Sequence, residues 1–232
     1  MSLILNIDSS TTVCSASISQ NGKLIALKEE DGSYVHAEKL GVFVLELFEL
    51  SGYSLNQIDA VAVSKGPGSY TGLRIGVSLA KGLCYGLNRP LIGVETLKSM
   101  AIGAVKKHYD KDAYYLPMID ARRMEVYAAI YNSEMETVRK VDADIIHEES
   151  YKEFSANKKV IYFGNGAAKC KLNFQDNPNM IYLDGIQTSS SYLSELSFAL
   201  YQNNEFEDVA YFEPYYLKDF VAGKKKLNKS IQ

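Results

Sequence analysis

The stretch from Val61 to Leu87 constrains the fold more than any other part of the chain. It starts within a short apolar run, residues 58–63, which predicts a buried strand. Gly66-Pro67-Gly68 then breaks the run, since glycine allows unusual backbone angles and proline fixes its own φ. A helical pattern follows, for which Ser69 and Thr71 are the two candidate N-caps. The stretch therefore predicts a buried strand joined by a rigid turn to a helix.

Small residues repeat along one side of this helix. Gly72, Gly76 and Ala80 are spaced four apart, so they share a face. Each glycine inside a helix costs about 1 kcal/mol relative to alanine, and two of them indicate that something approaches the backbone closely. A strand of the same chain, a second helix and a partner protein are the three alternatives.

The glycine-rich turn does not match the phosphate-binding motifs. A P-loop places its second glycine five residues after the first, where this chain has Thr71 or Leu73. The dinucleotide pattern requires its third glycine at Thr71, and Pro67 removes an N–H that a phosphate cradle would use. A rigid structural turn is the preferred interpretation.

Composition sets broad limits on the class of protein. The 232 residues, 47% of them hydrophobic, suffice for one large core or two small domains. A net charge of −3 gives no sign of nucleic-acid binding by bulk charge. No signal peptide or membrane-length apolar run is evident, and the three cysteines are scattered, so we expect a soluble cytoplasmic protein.

The first turn has two interpretations. Residues 3–7 predict a central strand, residues 12–18 an alternating strand, and Asn21-Gly22 a hairpin turn. Between the first two strands lie Asp8, Ser9, Ser10 and Thr11. Such a turn can hold a hydrated metal near phosphates, or it can satisfy its own backbone through side-chain hydrogen bonds. The second interpretation is favoured from a single short turn.

Residues 36–50 predict the first helix, whose apolar stripe is wider than burial on one side requires. Val42 and Phe48 widen a stripe made of Leu40, Phe43, Val44 and Leu47. His36 has Leu40 four residues on where a metal pair would need a second histidine, so we expect a capping or surface histidine and no metal site.

The second half repeats the order of strands followed by helices. The polar run 106–112 marks the expected boundary between domains 1–107 and 108–222, with a basic, disordered tail at 223–232. The cluster Asp120, Arg122, Arg123 and Glu125 predicts either pairing among its own members or contact with a partner.

Four motifs carry a family resemblance. NIDSSTTVCSASI, KGPGSYTGLRIG, DARRMEVYAAIY and PYYL resemble the bacterial TsaB family, whose members help to make threonylcarbamoyladenosine next to the anticodon of tRNA. The resemblance implies two related actin-like ATPase (ribonuclease H-like) lobes, α/β in class, with mixed sheets flanked by helices. It also implies pairing with itself or with the catalytic homologue TsaD, which carries the metal, and joining by the ATPase TsaE.

The resemblance implies a scaffold without catalytic or metal-binding residues of its own, touching tRNA only indirectly. ATP or ADP is expected, if anywhere, at the partner interface. The turn Asp8–Thr11 is then a vestigial phosphate turn, because superfamily ATPases prefer glycine where this chain has Ser10. The expected partner or dimer face comprises Leu40, Phe43, Val44, Leu47, Gly72, Ile75, Gly76, Leu79, Ala80 and Leu83.

Two other functions stay open at this point. A small actin-fold ATPase or phosphotransferase would place Asp8 and Thr11 near phosphate. A metal-dependent protease would need a metal cage that the scattered histidines do not supply.

Overall fold

Two five-stranded mixed sheets organise the protein, and the computed structural model describes residues 1–32 and 35–218. The first sheet contains β1 (Leu3–Asp8), β2 (Val13–Gln20), β3 (Lys23–Asp31), β4 (Ala60–Gly66) and β5 (Leu91–Glu95). Its spatial order is β3-β2-β1-β4-β5. The three strands β1 to β3 pair antiparallel, whereas β4 is parallel to both β1 and β5.

The second sheet repeats this layout. It contains β6 (Tyr114–Asp120), β7 (Glu125–Tyr131), β8 (Thr137–Ile145), β9 (Val160–Phe163) and β10 (Met180–Tyr182), in the order β10-β9-β6-β7-β8. Again three antiparallel strands are followed in space by two parallel ones. The equivalence of the two sheets confirms the prediction of two related α/β lobes.

Helices cover both faces of each sheet. Helices α1 (Val35–Ser51) and α2 (Tyr70–Leu87) pack on one face of the first sheet. Helix α3 (Thr96–Lys107) packs on one face of the second sheet, and the short helices α4 (Lys152–Ser155) and α5 (Lys171–Phe174) cover the other face. Helix α6 (Leu193–Gln202) packs on the remaining face of the first sheet. No helix among the described residues is long and apolar enough to cross a membrane.

Local sequence signals account for several element boundaries. Asn21 and Gly22 have φ values of 49° and 78°, as a two-residue hairpin between β2 and β3 requires. The Ser69 side chain accepts a hydrogen bond from the Gly72 N–H at 3.3 Å, so Ser69, rather than Thr71, caps α2. Asn88 ends α2 in the left-handed conformation, with φ 52°.

The predicted domain boundaries are corrected by an exchange of helices between the lobes. Helix α3, which was assigned to domain 1–107, packs its buried face on the second sheet. Helix α6, which was assigned to domain 108–222, returns to the first sheet, where Leu193 lies with Ile4 and Ile92. The polar run 106–112 does separate α3 from β6, but local polarity does not reveal which sheet a helix covers. The predicted tail at 223–232 lies outside the described residues.

A buried polar contact fixes α6 to the first sheet. Asn6, the polar residue within the apolar run of β1, accepts a hydrogen bond from Ser197 Oγ of α6 at 2.6 Å. Its amide donates to Ser19 Oγ of β2 at 2.9 Å. Since both amide ends are paired, Asn6 sits in the core without an unsatisfied group.

The exchange of α6 can be tested by truncating the buried leucine at its N-terminal end. Leu193 is fully buried, so Leu193→Ala should lower the free energy of unfolding by about 2–5 kcal/mol in urea denaturation. Leu172 is 77% exposed, and Leu172→Ala should change it by less than about 0.5 kcal/mol. Equal effects of the two substitutions would contradict the packing of α6 on the first sheet.

Candidate functional site

A cleft of about 450 Å³ opens between the lobes, where the chain leaves β1 and β4. One wall is formed by residues 10–12 and 68–71 of the first lobe. The other wall comes from the β6–β7 turn and Asn165 of the second lobe, and residues 216–218 close one side. The cleft therefore brings residues of all four sequence motifs to one place.

Several polar groups of the turn after β1 are hydrogen-bonded within the chain. Asp8 is fully buried, and its Oδ1 accepts from the Ser10 N–H at 3.0 Å and from Ser10 Oγ at 2.6 Å. Ser64 Oγ of β4 adds a third hydrogen bond at 3.1 Å. Ser9 Oγ donates to the Gly72 carbonyl at 2.8 Å. The turn thus forms hydrogen bonds with itself, with β4 and with α2.

One carboxylate oxygen of Asp8 forms no hydrogen bond with the described residues. Oδ2 is buried and finds no hydrogen-bond partner among the described residues. Burial raises the pKa of Asp8, and the hydrogen bonds from Ser10 and Ser64 act in the opposite direction. The carboxyl is thus held in an environment that disfavours its charged form.

The glycines of α2 pack against this turn. A Cβ added at Gly72 would lie 2.1 Å from the Ser9 carbonyl oxygen, and one at Gly76 2.1 Å from Ser9 Oγ. A Cβ at Gly68 would lie 2.3 Å from the Ser10 carbonyl oxygen. Of the three alternatives for the glycine face, a segment of the same chain is the one that the structure shows. The assignment of Gly72 and Gly76 to a partner face is therefore wrong.

The apolar stripe of α1 is also used inside the chain. Leu40, Phe43, Val44 and Leu47, together with Ala80 of α2, are buried in the core between the two helices and the first sheet. These residues cannot form a partner face, because their surface is already covered. The wide stripe does not indicate a partner face, because Phe48, which widens it, is also buried in the core.

The remaining residues of the predicted face, Ile75, Leu79 and Leu83, lie on the same two helices as the exposed Val42 and Leu45. Val42 and Leu45 of α1 are 48% and 64% exposed, and Ile75, Leu79 and Leu83 of α2 are half-buried. Leu45 was absent from the predicted face, although helical spacing puts Val42 and Leu45 opposite Leu40 and Leu47. Two apolar residues on the solvent side of an amphipathic helix were the signal that could have identified it.

Three exposed glycines of α1 and α2 have open space around the position of a Cβ, as far as the described residues show. A Cβ at Gly41, Gly82 or Gly86 would meet no atom within 4 Å. Unlike Gly72 and Gly76, these residues have no packing reason within the described chain.

The acidic residues of the β6–β7 turn form ion pairs with lysines from elsewhere in the chain. The sequence had predicted pairing within the turn or contact with a partner protein. The carboxylates of Asp120 and Glu125 form ion pairs with Lys169 and Lys218, which come from outside the turn. Arg122 and Arg123 have φ values of 69° and 48° and are exposed. Arg122 lines the cleft.

His36 is buried, which corrects the expectation of a capping or surface residue. Its Nε2 lies 3.2 Å from the Val13 carbonyl oxygen. Across residues 1–32 and 35–218, no group of three histidine, cysteine, aspartate or glutamate side chains could hold a metal ion.

Comparisons with known proteins agree on one family. The family model described as TsaD, tRNA N6-adenosine threonylcarbamoyltransferase, matches residues 30–226. The tRNA threonylcarbamoyladenosine biosynthesis protein TsaB of Escherichia coli is 31% identical over 231 residues, which cover 96% of this chain and 97% of the relative. The Bacillus subtilis protein of the same name is 43% identical over 74 residues, 32% of this chain and 31% of the relative.

Solved structures show the same relationship. The structure of YeaZ from Pseudomonas aeruginosa has a TM-score of 0.78 and 27% identity, and covers 94% of this chain and 100% of that chain. The ADPNP-bound activator of 2-hydroxyisocaproyl-CoA dehydratase from Clostridium difficile has a TM-score of 0.51 and 10% identity, covering 89% and 98%. The second similarity extends to the fold alone.

Two glycines of α2 provide a matched test of the packing on the turn. Gly72→Ala should lower the free energy of unfolding by about 1–3 kcal/mol, because the added methyl collides with the Ser9 backbone. Gly82→Ala, in the same helix with open space around it, should raise it by about 0.5–1 kcal/mol. Urea denaturation of both variants checks this, and a destabilising Gly82→Ala with a neutral Gly72→Ala would contradict the packing.

Replacing Asp8 tests whether its buried carboxylate lowers stability. Because its pKa is raised on folding, the folded protein binds this proton more tightly than the unfolded chain does. The unfavourable contribution of Asp8 is therefore present at high pH and is relieved as pH falls through the raised pKa. At about pH 8, Asp8→Asn should have a Tm at or above that of the wild type, with the difference shrinking toward about pH 4.

Exposed Asp176 supplies the control for this measurement. Asp176→Asn should leave Tm unchanged at both ends of the pH range. A clear wild-type advantage over Asp8→Asn at about pH 8 would mean that the hydrogen bonds to the charged carboxylate outweigh its burial.

Proposed function

This chain belongs to the TsaB family of tRNA threonylcarbamoyladenosine biosynthesis proteins, and we propose that it serves there as a non-catalytic subunit. Its role lies in the threonylcarbamoyl modification of tRNA. In the proposal, it holds a TsaD-like catalytic homologue in a productive shape and contributes no catalytic residue. A TsaE-like ATPase joins the assembly, which forms in the cytoplasm.

The outer surface of α1 and α2 carries this proposal. Val42 and Leu45 of α1 are exposed where a helix that covers a core usually presents polar side chains. Ile75, Leu79 and Leu83 of α2 are half-buried at the edge of the core. Helices α1 and α2 contact each other, so the two sets of side chains belong to neighbouring surfaces. An apolar surface of this kind is typical of a protein–protein contact.

The adjoining glycines support a helical partner. Gly41, Gly82 and Gly86 each weaken their helix by about 1 kcal/mol relative to alanine, with no contact inside the described chain to compensate. Small residues on an outer helix face let another backbone approach closely. A helix pair from a homologous lobe is the occupant that fits best.

Two homologous occupants are available. A tRNA N6-adenosine threonylcarbamoyltransferase of Clostridium perfringens is 31% identical to this chain over 109 residues, 47% of this chain and 32% of the relative. A homologous lobe in such a partner would carry equivalent helices, and the two helix pairs could associate by pseudo-twofold symmetry. A second copy of this chain would use the same surface, so we propose a homodimer when the catalytic partner is absent.

The turn after β1 disfavours the alternative of a small ATPase or phosphotransferase. The Ser10 N–H is donated to Asp8, and the Ser69 N–H is donated to the Ser10 carbonyl at 2.6 Å. A phosphate cradle needs free backbone N–H groups, and these two are engaged. The turn therefore does not fit a nucleotide phosphate, and any ATP or ADP is proposed to bind at the partner interface.

Reconstitution of the modification tests the proposal. The chain would be combined with a TsaD-like transferase, a TsaE-like ATPase and the remaining components, with tRNA, ATP, threonine and bicarbonate. Product should require this chain and should fall at least about tenfold with the double substitution Leu45→Glu and Leu79→Glu. Burying two carboxylates in an apolar contact costs several kcal/mol, which exceeds the cost of a tenfold loss.

Leu172→Glu is the matched control, since Leu172 is an exposed leucine on the other lobe. All variants should keep the wild-type circular dichroism spectrum and thermal transition. Product that forms without this chain would refute the proposed function. Full product with the double variant would refute the placement of the partner surface.

A further inference from the structure

The β6–β7 turn carries two arginines whose positive charges are not compensated by the described chain. The carboxylates nearest in sequence, Asp120 and Glu125, are already paired with Lys169 and Lys218. Within residues 1–32 and 35–218, neither guanidinium forms an ion pair. The turn therefore presents positive charge to solvent at the rim of the interlobe cleft.

The first lobe and the end of the described chain add aromatic side chains to the same cleft. Tyr70 and Tyr216 both line it, and their ring centroids lie 4.6 Å apart. The Arg74 guanidinium lies 5.4 Å from the centroid of the Tyr70 ring and donates a hydrogen bond to its hydroxyl at 3.2 Å. The cleft thus contains a tyrosine pair and Arg122. Arg74, on the Tyr70 ring, and Arg123, next to Arg122 in sequence, lie outside its lining.

We propose that this rim binds an unpaired segment of the tRNA directly. Arg122 and Arg123 contact phosphates, and Tyr216 provides a face on which a base stacks. Basic groups beside aromatic faces are the pattern by which proteins hold single-stranded RNA. The inference rests on the proposed function, and it names a contact with the substrate that the resemblance to the family left indirect.

The location of the charges favours a polynucleotide over a free nucleotide. The backbone N–H groups of Ser10 and Ser69, which line the cleft, are engaged within the chain. The charged groups lie instead at the rim. Arg122 lines the cleft, whereas Arg123, the next residue, lies outside its lining. Phosphates spaced along a strand match charges spread along a rim, whereas a triphosphate requires a cluster of donors at one point.

Binding of a labelled, unmodified tRNA transcript to the full chain tests this inference by fluorescence anisotropy. The double substitution Arg122→Gln and Arg123→Gln should weaken binding at least about fivefold at low salt. It should also reduce the slope of log affinity against log salt concentration by about 0.7 for each arginine, the value for single strands. Lys23→Gln with Lys140→Gln removes the same charge from exposed positions elsewhere and should change neither quantity.

Stacking is tested separately from charge. Tyr216→Leu should weaken tRNA binding by about fivefold or more, because stacking on an aromatic face contributes roughly 1–3 kcal/mol per base. The salt dependence should not change, since no charge is removed. Unaltered circular dichroism spectra and thermal transitions would show that the variants are folded.

Three results would overturn the inference. Equal losses for the arginine and lysine pairs would indicate binding by overall charge, and no loss for the arginine pair would place the tRNA elsewhere. Complete displacement of tRNA by ATP with magnesium would assign the cleft to a mononucleotide. The binding and reconstitution results can be told apart. If the double arginine variant binds tRNA normally while modification still requires the chain, this inference fails and the proposed function stands.

Discussion

The packing of one face of α2 on the turn after β1 determines how the rest of the site is arranged. Gly72 and Gly76 bring the helix backbone against Ser9, and Gly68 brings the preceding loop against Ser10, at distances that no side chain would allow. This contact fixes the rotation of α2 about its axis. Beside this contact, Ile75 and Leu79 lie half-buried at the edge of the core that α2 shares with α1.

The same contact explains why the turn differs from a phosphate-binding turn. Ser9 and Ser10 form their backbone and side-chain hydrogen bonds with Asp8, with α2 and with the segment that precedes α2. The cleft between the lobes remains open, but the Ser10 and Ser69 N–H groups that line it are already engaged. Charge and aromatic surface are found at its rim instead, which is where we place a polynucleotide.

The exchange of α3 and α6 makes the two lobes a single cooperative unit. Each helix covers a sheet formed mainly by the other half of the chain, so neither half would bury its apolar surface alone. Hydrogen bonds also connect the two halves of the chain. Ser197 of α6 donates one to Asn6 of β1, and the Thr188 and Thr11 hydroxyls share another at 2.6 Å. A subunit of this kind would hold its cleft and its outer helices in a fixed relation.

Sequence patterns predicted the fold more completely than the site. The strand before Gly66, the hairpin at Asn21-Gly22 and the helix after Ser69 depend on local chemistry, and all three form as predicted. The glycine repeat was recognised, but spacing alone could not show that its neighbour is Ser9. Likewise, a wide apolar stripe on α1 does not reveal how many sides of a helix the core covers. The ion pairs of the β6–β7 turn could not be predicted from the sequence, because Lys169 and Lys218 are distant from the turn along the chain.

Hydrogen–deuterium exchange, measured with and without the TsaD-like catalytic partner, tests the central claim most directly. The claim is that the outer surface of α1 and α2 is where the partner binds. Addition of the partner should slow exchange in peptides from α1 and α2 and leave α6, on the far face of the same sheet, unchanged. Slowed exchange confined to the second lobe, or equal slowing in α6, would contradict it.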